Sequence, residues 1–153
     1  MRVALASDHA GLKLKEKVKE KLIKMDYEVI DFGTNSEESV DYPDFAYLAA
    51  KAVADKKAER GIVCCGTGIG VSIVANKVNN IRCALVSDLF SAKATREHND
   101  SNMLALGERI LDEKLAEEIV EIWMTTEFEG ARHNKRLNKI IEIEELVKKE
   151  EIR

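Results

Sequence analysis

Short apolar runs alternate with segments of helical hydrophobic period along the whole chain, and that alternation leaves few folds open. Arg2 to Ala6 reads as a strand, after which Leu14, Val18, Leu22 and Met25 recur at helical spacing. Lys13, Lys15, Lys17, Lys19, Lys21 and Lys24 fill the positions that such a pattern assigns to solvent. The couplet then repeats, with strands over Glu28 to Asp31, Gly61 to Cys65 and Ile81 to Val86. Helices over Pro43 to Asp55, Gly70 to Lys77 and Asp88 to Glu97 follow them in turn, and Pro43 suits a first helical position. A last strand over Asn102 to Leu106 precedes helices at about 112–124 and 131–150. This order predicts an α/β fold: a five-stranded, mostly parallel sheet covered by helices on both faces, a three-layer α/β/α sandwich. No linker or internal repeat interrupts the 153 residues, so one domain over residues 1–153 is expected.

Composition narrows the functional classes. Apolar runs such as Ile62 to Cys65 and Val71 to Ala75 fall far short of the roughly 20 residues of a membrane span, so no membrane partner is expected. The first residues lack the apolar run and small-residue cleavage site of a secretory signal, which makes a cytoplasmic protein the default. Three cysteines without C-x-x-C spacing speak against a disulfide framework and against a metal cluster. A formal net charge of -4 speaks against a nucleic-acid partner but leaves room for local basic clusters that take small anions. Lys and Glu are abundant and Gln is absent, a bias associated with thermophilic proteins.

In an open parallel sheet, ligands bind beyond the carboxyl ends of the strands, where right-handed crossovers gather the βα loops. The strongest signal among these loops is Cys65-Gly66-Thr67-Gly68-Ile69-Gly70. Its glycines permit a turn whose backbone N–H groups point at an anion ahead of a helix N-terminus. It is not a P-loop, since Val71 and Ser72 follow Gly70, nor a dinucleotide fingerprint, which needs Gly at position 71. Asp88 at the next strand end keeps a nucleotide-binding variant open, and a turn that uses Gly only for tightness is the plain alternative.

Cys65 ends its strand at that helix N-terminus, where the dipole favours a thiolate and hence a base or nucleophile. A cysteine phosphatase would place Arg six residues beyond the Cys, where this chain has Val71. Cys64 must face the opposite side of the sheet, and Cys83 lies within an apolar run, so both read as core. Asp8 and His9 end the first strand, which in such a fold commonly neighbours the third, so they are expected to converge on Cys65. A helix N-cap is the plain role for Asp8. His98, just before the fifth strand, would by itself be a surface or capping residue. Arg132, His133 and Arg136 open the last helix, the arginines one turn apart, spaced to clamp a phosphate or to form a solvated basic face. Together these groups are the equipment for enolising a phosphorylated carbonyl compound. A noncatalytic nucleotide- or phosphate-binding regulatory domain is the rival, but it gives no joint role to Cys65, His98 and the arginine pair.

The segments S-D-H-A-G at 7–11, D-Y-P at 41–43, C-G-T-G-I-G at 65–70, A-N-K at 75–77, R-E-H-N-D-S-N at 96–102 and E-G-A-R-H at 129–133 resemble those of the type B ribose-5-phosphate isomerases. The wider family includes the galactose-6-phosphate isomerase subunits. The resemblance implies a Rossmann-like sandwich with sheet order 2-1-3-5-4. It implies an aldose–ketose isomerase without metal or other cofactor, acting on ribose 5-phosphate and ribulose 5-phosphate through an enediolate. A six-carbon substrate, allose or galactose 6-phosphate, is the alternative. The resemblance makes Cys65 the base and makes Thr67, with the N–H groups of Gly66, Gly68, Ile69 and Gly70, the enediolate stabiliser. His98, with Asp8 nearby, would open the sugar ring, and Asn99 would touch the sugar. His9, Arg132 and Arg136 would hold the phosphate, with Arg109 as a further contact, and Tyr42 would line the pocket. One branch of the family replaces the cysteine by a Glu on the next helix; that position is Val71 here, which assigns this chain to the cysteine branch. Homodimers or dimers of dimers, with sites between subunits, are implied as well.

Overall fold

The computed structural model describes residues 1–151. Along the chain follow β1 (Arg2–Ser7), a 3-10 turn (His9–Gly11), α1 (Leu12–Lys24), β2 (Glu28–Asp31), α2 (Tyr42–Ala54), β3 (Arg60–Cys65) and α3 (Ile69–Asn76). Then come β4 (Cys83–Leu85), α4 (Leu89–Asn99), β5 (Met103–Gly107), α5 (Glu113–Thr125) and α6 (Arg132–Glu151). Among the described residues the strands form one parallel sheet in the order β2-β1-β3-β5-β4, the order implied by the family resemblance. Each predicted element is present with its ends moved by a few residues. The largest change is β4, which shortens to Cys83–Leu85 at the sheet edge. Among the described residues no helix is long and apolar enough to cross a membrane.

Strand alternation sends side chains to two cores of different character. On one face Val3, Leu5, Leu104 and Leu106 meet Leu14, Val18 and Leu22 of α1 and Ile119 and Trp123 of α5. Fully burying a side chain of this size contributes about 1.5–3 kcal/mol. On the other face Ala4, Ala6 and Ala105 meet Ala46, Ala49 and Ala50 of α2. Because methyl groups occupy so little depth, α2 lies close against β1 and β3, and that approach carries Tyr42, its first residue, up to the Gly loop.

One side chain of α1 departs from its predicted place. Lys15, expected in solvent, has a fully buried side chain. Its ammonium donates to Asp31 Oδ1 at 2.7 Å, Asp31 Oδ2 at 2.9 Å and Asn35 Oδ1 at 3.0 Å. Position 15 lies i−3 and i−7 from Val18 and Leu22, on the margin of the apolar stripe, so its stem packs with the core while its head meets the end of β2. Burial alone would push the Asp31 carboxyl up, but hydrogen bonds from Lys15, the Gly33 N–H and Lys19 hold it below the usual carboxylate range.

Candidate active site

The carboxyl ends of β1 and β3 are adjacent, with Ser7 opposite Cys64 in the parallel register. The Asp8–Gly11 turn therefore lies directly on the end of β3. Asp8 N–H donates to the Cys64 carbonyl at 3.3 Å, while Asp8 Oδ1 accepts from Gly11 N–H at 3.0 Å. Asp8 is thus the N-cap foreseen as its plain role, and it also lines the cleft at this edge. Gly11 is required by close approach: a Cβ there would stand 2.5 Å from the Cys64 carbonyl carbon.

The cleft, about 460 Å³, gathers nine of the predicted residues: Asp8, His9, Tyr42, Cys65, Gly66, Thr67, Ile69, Gly70 and Arg109. Ala10 and Ile73, which no chemical signal singles out, complete its lining. Cys65 is 5% exposed, and its Sγ accepts from the Gly68 N–H at 3.1 Å, a donor that stabilises negative charge on sulfur. Gly68, the other predicted member of the loop, is the N-cap of α3 at φ 78, a left-handed conformation that favours glycine, and no side chain caps that helix. Gly70 and Val71 stand in the first turn, so their N–H groups have no acceptor within the helix and face an incoming anion. Thr67 Oγ1 accepts from the Ile69 N–H at 3.2 Å, leaving its hydroxyl proton free to donate. Tyr42 packs on Gly70, and the Arg109 guanidinium covers Gly66. The loop after β5 secures this edge, with Glu108 N–H donating to the Cys65 carbonyl at 3.0 Å and Arg109 N–H to the Gly66 carbonyl at 2.9 Å.

His9 is held by the main chain of the β2–α2 connection. Its Nδ1 accepts from the Val40 N–H at 3.2 Å, which puts the proton of the neutral ring on Nε2. A larger cleft, about 530 Å³ and lined by Leu12, Leu14 and Leu111, opens beside α1, but it has no nucleophile next to an anion cradle.

The remaining predicted residues form a second cluster elsewhere. His98, in the last turn of α4, stacks on His133 with ring centroids 4.6 Å apart. Arg132 Nε lies 3.3 Å from His133 Nε2, and an Arg136 terminal nitrogen lies 3.3 Å from His133 Nδ1. Burial first, then the charges of Arg132, His98 and Arg136, push the His133 imidazole down from its ordinary value, against an opposing pull from Glu129. His98, Glu129 and His133 present ligand atoms within 4.8 Å of one another, yet a guanidinium faces each ring nitrogen of His133, an arrangement that suits an anion rather than a metal cation. Asn99 is exposed on the same helix end.

Within one chain His98 does not approach Asp8 or Cys65. Helix α4 starts beyond the carboxyl end of β4 and runs back to Asn99, just before β5 begins at Met103. Since β3 and β5 pair Gly61 with Met103 and Cys65 with Gly107, the two clusters lie at opposite edges of the sheet, about 13 Å apart along the strands alone. Two further expectations are corrected. Asp88 is the N-cap of α4, with Oδ1 accepting from Ser91 N–H at 2.7 Å and Oδ2 from Ser91 Oγ at 3.0 Å, so it is not presented to a nucleotide. Cys83 is half-buried on the edge strand rather than enclosed in the core, although burial still pushes its thiol up to about 12. Cys64 is fully enclosed on the opposite face from Cys65, as alternation requires.

A ribose/galactose isomerase family model matches residues 3–140. Ribose-5-phosphate isomerase B of Escherichia coli K12 is 43% identical over 94% of this chain and 97% of its own. The solved ribose-5-phosphate isomerase B of Clostridium thermocellum is 51% identical, with a TM-score of 0.94 over 96% of this chain and 99% of its own. That of Mycoplasma genitalium, solved with bound ribulose-5-phosphate, is 39% identical, with a TM-score of 0.90 over 94% of this chain and 96% of its own. The chain therefore belongs to the ribose/galactose isomerase family.

Proposed function

We propose that the protein interconverts ribose 5-phosphate and ribulose 5-phosphate, with Cys65 as the base. The observation that carries this reading is the Cys65 thiol, held by the Gly68 N–H in the cleft at the open N-terminus of α3. In the open-chain aldose, the Cys65 sulfur takes the C2 proton and returns it to C1, while the hydroxyl proton passes from O2 to O1. Between these events the substrate is an enediolate. Thr67 Oγ1–H and the first-turn N–H groups of α3 hold its developing charge, which they bind more strongly in the transition state than in the substrate. The His9 Nε2–H and the Arg109 guanidinium meet the phosphate from the same chain.

A two-fold dimer completes the site. The second cluster of one copy, with His98 for ring opening, Asn99 for the sugar, and Arg132 and Arg136 for the phosphate, lies over the Cys65 cleft of the other. Support for this assembly comes from the separation of the two clusters within one chain, which a two-fold, isologous contact can bring together. Three free thiols suit the reducing cytoplasm as the working compartment.

The test is incubation with ribose 5-phosphate in deuterated water with a chelator present. Ribulose 5-phosphate should form with deuterium at the exchanging carbon, and Cys65→Ala should abolish exchange while retaining substrate binding. No turnover of any five- or six-carbon aldose phosphate refutes the isomerase reading. Full activity in Cys65→Ala removes the thiol from the mechanism.

A further inference from the structure

We infer that Arg96 is a positioning residue: it locks the end of α4, which carries His98 and Asn99, to the segment entering α6, which carries Arg132, His133 and Arg136. The inference rests on the proposed reading that this cluster of one copy completes the Cys65 cleft of another.

Arg96 is 5% exposed and is not among the residues that line the Cys65 cleft. Its Nε donates to the Thr126 carbonyl, at the end of α5, at 3.2 Å. One terminal nitrogen donates to the Ser101 carbonyl at 2.7 Å and to Asp100 Oδ1 at 2.8 Å. These acceptors belong to two separate parts of the chain, the α4–β5 turn and the start of the connection into α6. A planar fork fixed at both joins them, which a lysine, with a single nitrogen, reproduces only in part. Asp100 ends α4 at φ 44, a left-handed turn that Arg82 also holds, donating to the Asn99 carbonyl at 3.0 Å and the Asp100 carbonyl at 2.9 Å, while Arg96 adds the tie to Thr126.

The neighbouring contacts serve the same junction. The Glu129 N–H donates to the Glu97 carbonyl at 3.2 Å. Arg60 donates to the Trp123 and Met124 carbonyls at 2.8 and 3.1 Å, and the Trp123 Nε1 donates to Ser101 Oγ at 2.9 Å. Two guanidinium groups thus lie close together, that of Arg96 buried and that of Arg60 half-buried; burial, then the Arg96 charge, push that of Arg60 down. Buried charges of this kind are a poor device for stability alone, but they specify geometry. What they specify here is the distance between the end of α4 and the start of α6, and hence the His98–His133 stack at 4.6 Å.

The experiment uses the full-length chain with Arg96→Lys, Cys65→Ala and His98→Asn. Arg96→Lys should lower kcat/KM about 10- to 100-fold, the effect of a small misplacement of reacting groups. Mixed one to one with Cys65→Ala, it should recover about one quarter of the natural activity per chain, because half the dimers are mixed and each holds one intact site of two. A chain that had merely lost its fold would supply no Cys65 cleft and recover nothing. If Cys65→Ala with His98→Asn fails to complement, the shared-site reading falls and the inference with it. If that pair complements and Cys65→Ala with Arg96→Lys does not, the Arg96 inference alone is overturned, as it is by unchanged kcat/KM in Arg96→Lys. Should Arg96→Lys not fold, Asp100→Asn carries the same test, since it keeps a residue tolerant of the left-handed turn and removes the acceptor's charge.

Discussion

Replacing Lys15 by Met keeps the length of a stem packed beside Val18 and Leu22 but deletes an ammonium whose three donors meet Asp31 Oδ1, Asp31 Oδ2 and Asn35 Oδ1. Removing one partner of a buried ion pair costs about 3–5 kcal/mol, because the other charge is left without compensation. Asp31 is not wholly abandoned in Lys15→Met. Its side chain remains 12% exposed and still accepts from the Gly33 N–H at 2.8 Å and from Lys19 at 3.2 Å. A loss of about 2–3 kcal/mol is therefore expected, below the full range. Urea unfolding at one fixed protein concentration measures it. The pH dependence adds a second check. Because the folded Asp31 carboxyl lies below its ordinary value, its stabilisation is fully present above the unfolded carboxylate value of about 3.9 and is lost as pH falls through the lower folded value. The gap between natural chain and variant should narrow in that acid window and stay constant near neutrality. A loss under about 0.5 kcal/mol at pH 7, the usual effect of a surface substitution, refutes the description of a buried, directional pair.

Gly11→Ala should destabilise the chain by about 1–3 kcal/mol or more, since its Cβ would meet the Cys64–Cys65 peptide, which cannot swing aside as a side chain can. It should also lower kcat by displacing Cys65, and a variant of unchanged melting temperature and kcat contradicts that packing. In the free protein, the His133 ring should titrate below the ordinary histidine value of about 6.5 when followed by NMR. Because its neutral form is favoured by the fold, the stability this provides is complete above that value and is lost as pH falls through the folded one. Addition of inorganic phosphate should raise its titration, and a free-protein value at or above 6.5 excludes the crowding by Arg132, His98 and Arg136. Arg136→Ala should raise KM far more than it lowers kcat; the reverse pattern would move Arg136 from substrate binding to the chemical step.

The order and type of elements were legible because apolar periodicity reports which side chains face a core, and the helix and strand periods are well separated. Lys15 was illegible for the same reason: periodicity counts a charge as solvent-facing and cannot see that Asp31 waits at the end of β2 to receive it. The Cys65 half of the site could be read because its members sit at strand ends, where topology alone gathers them. His98 was legible as a motif but not as a place. Its position follows from the direction in which α4 runs, which returns it to the amino edge of the sheet, away from Asp8. Glu108 gave no local signal either. Its carboxylate accepts from the Leu14 N–H at 2.9 Å, tying the start of α1 to the loop after β5 across 94 residues of sequence.

The two half-sites are built by different physics. The Cys65 half is set by backbone against backbone, where Gly11 on Cys64 and Gly107 on Thr67 approach too closely for any side chain, so its geometry is as rigid as the sheet. The His98 half rests on helix ends joined by charged side chains, and it leads into α6, which buries only His133 and Leu137 against its own chain. Beyond those two, α6 leaves Ile140, Ile143 and Val147 exposed on one face, and such a helix gains little of its stability from the protomer that carries it. The rim of the Cys65 cleft likewise leaves Ile69 and Ile73 half exposed. In the proposed dimer one contact covers both apolar surfaces, anchors α6 and carries Arg132 and Arg136 to the cleft. Burial of the apolar face of α6 and completion of the Cys65 cleft are then a single event, which sets the basic cluster where a phosphate is to be held.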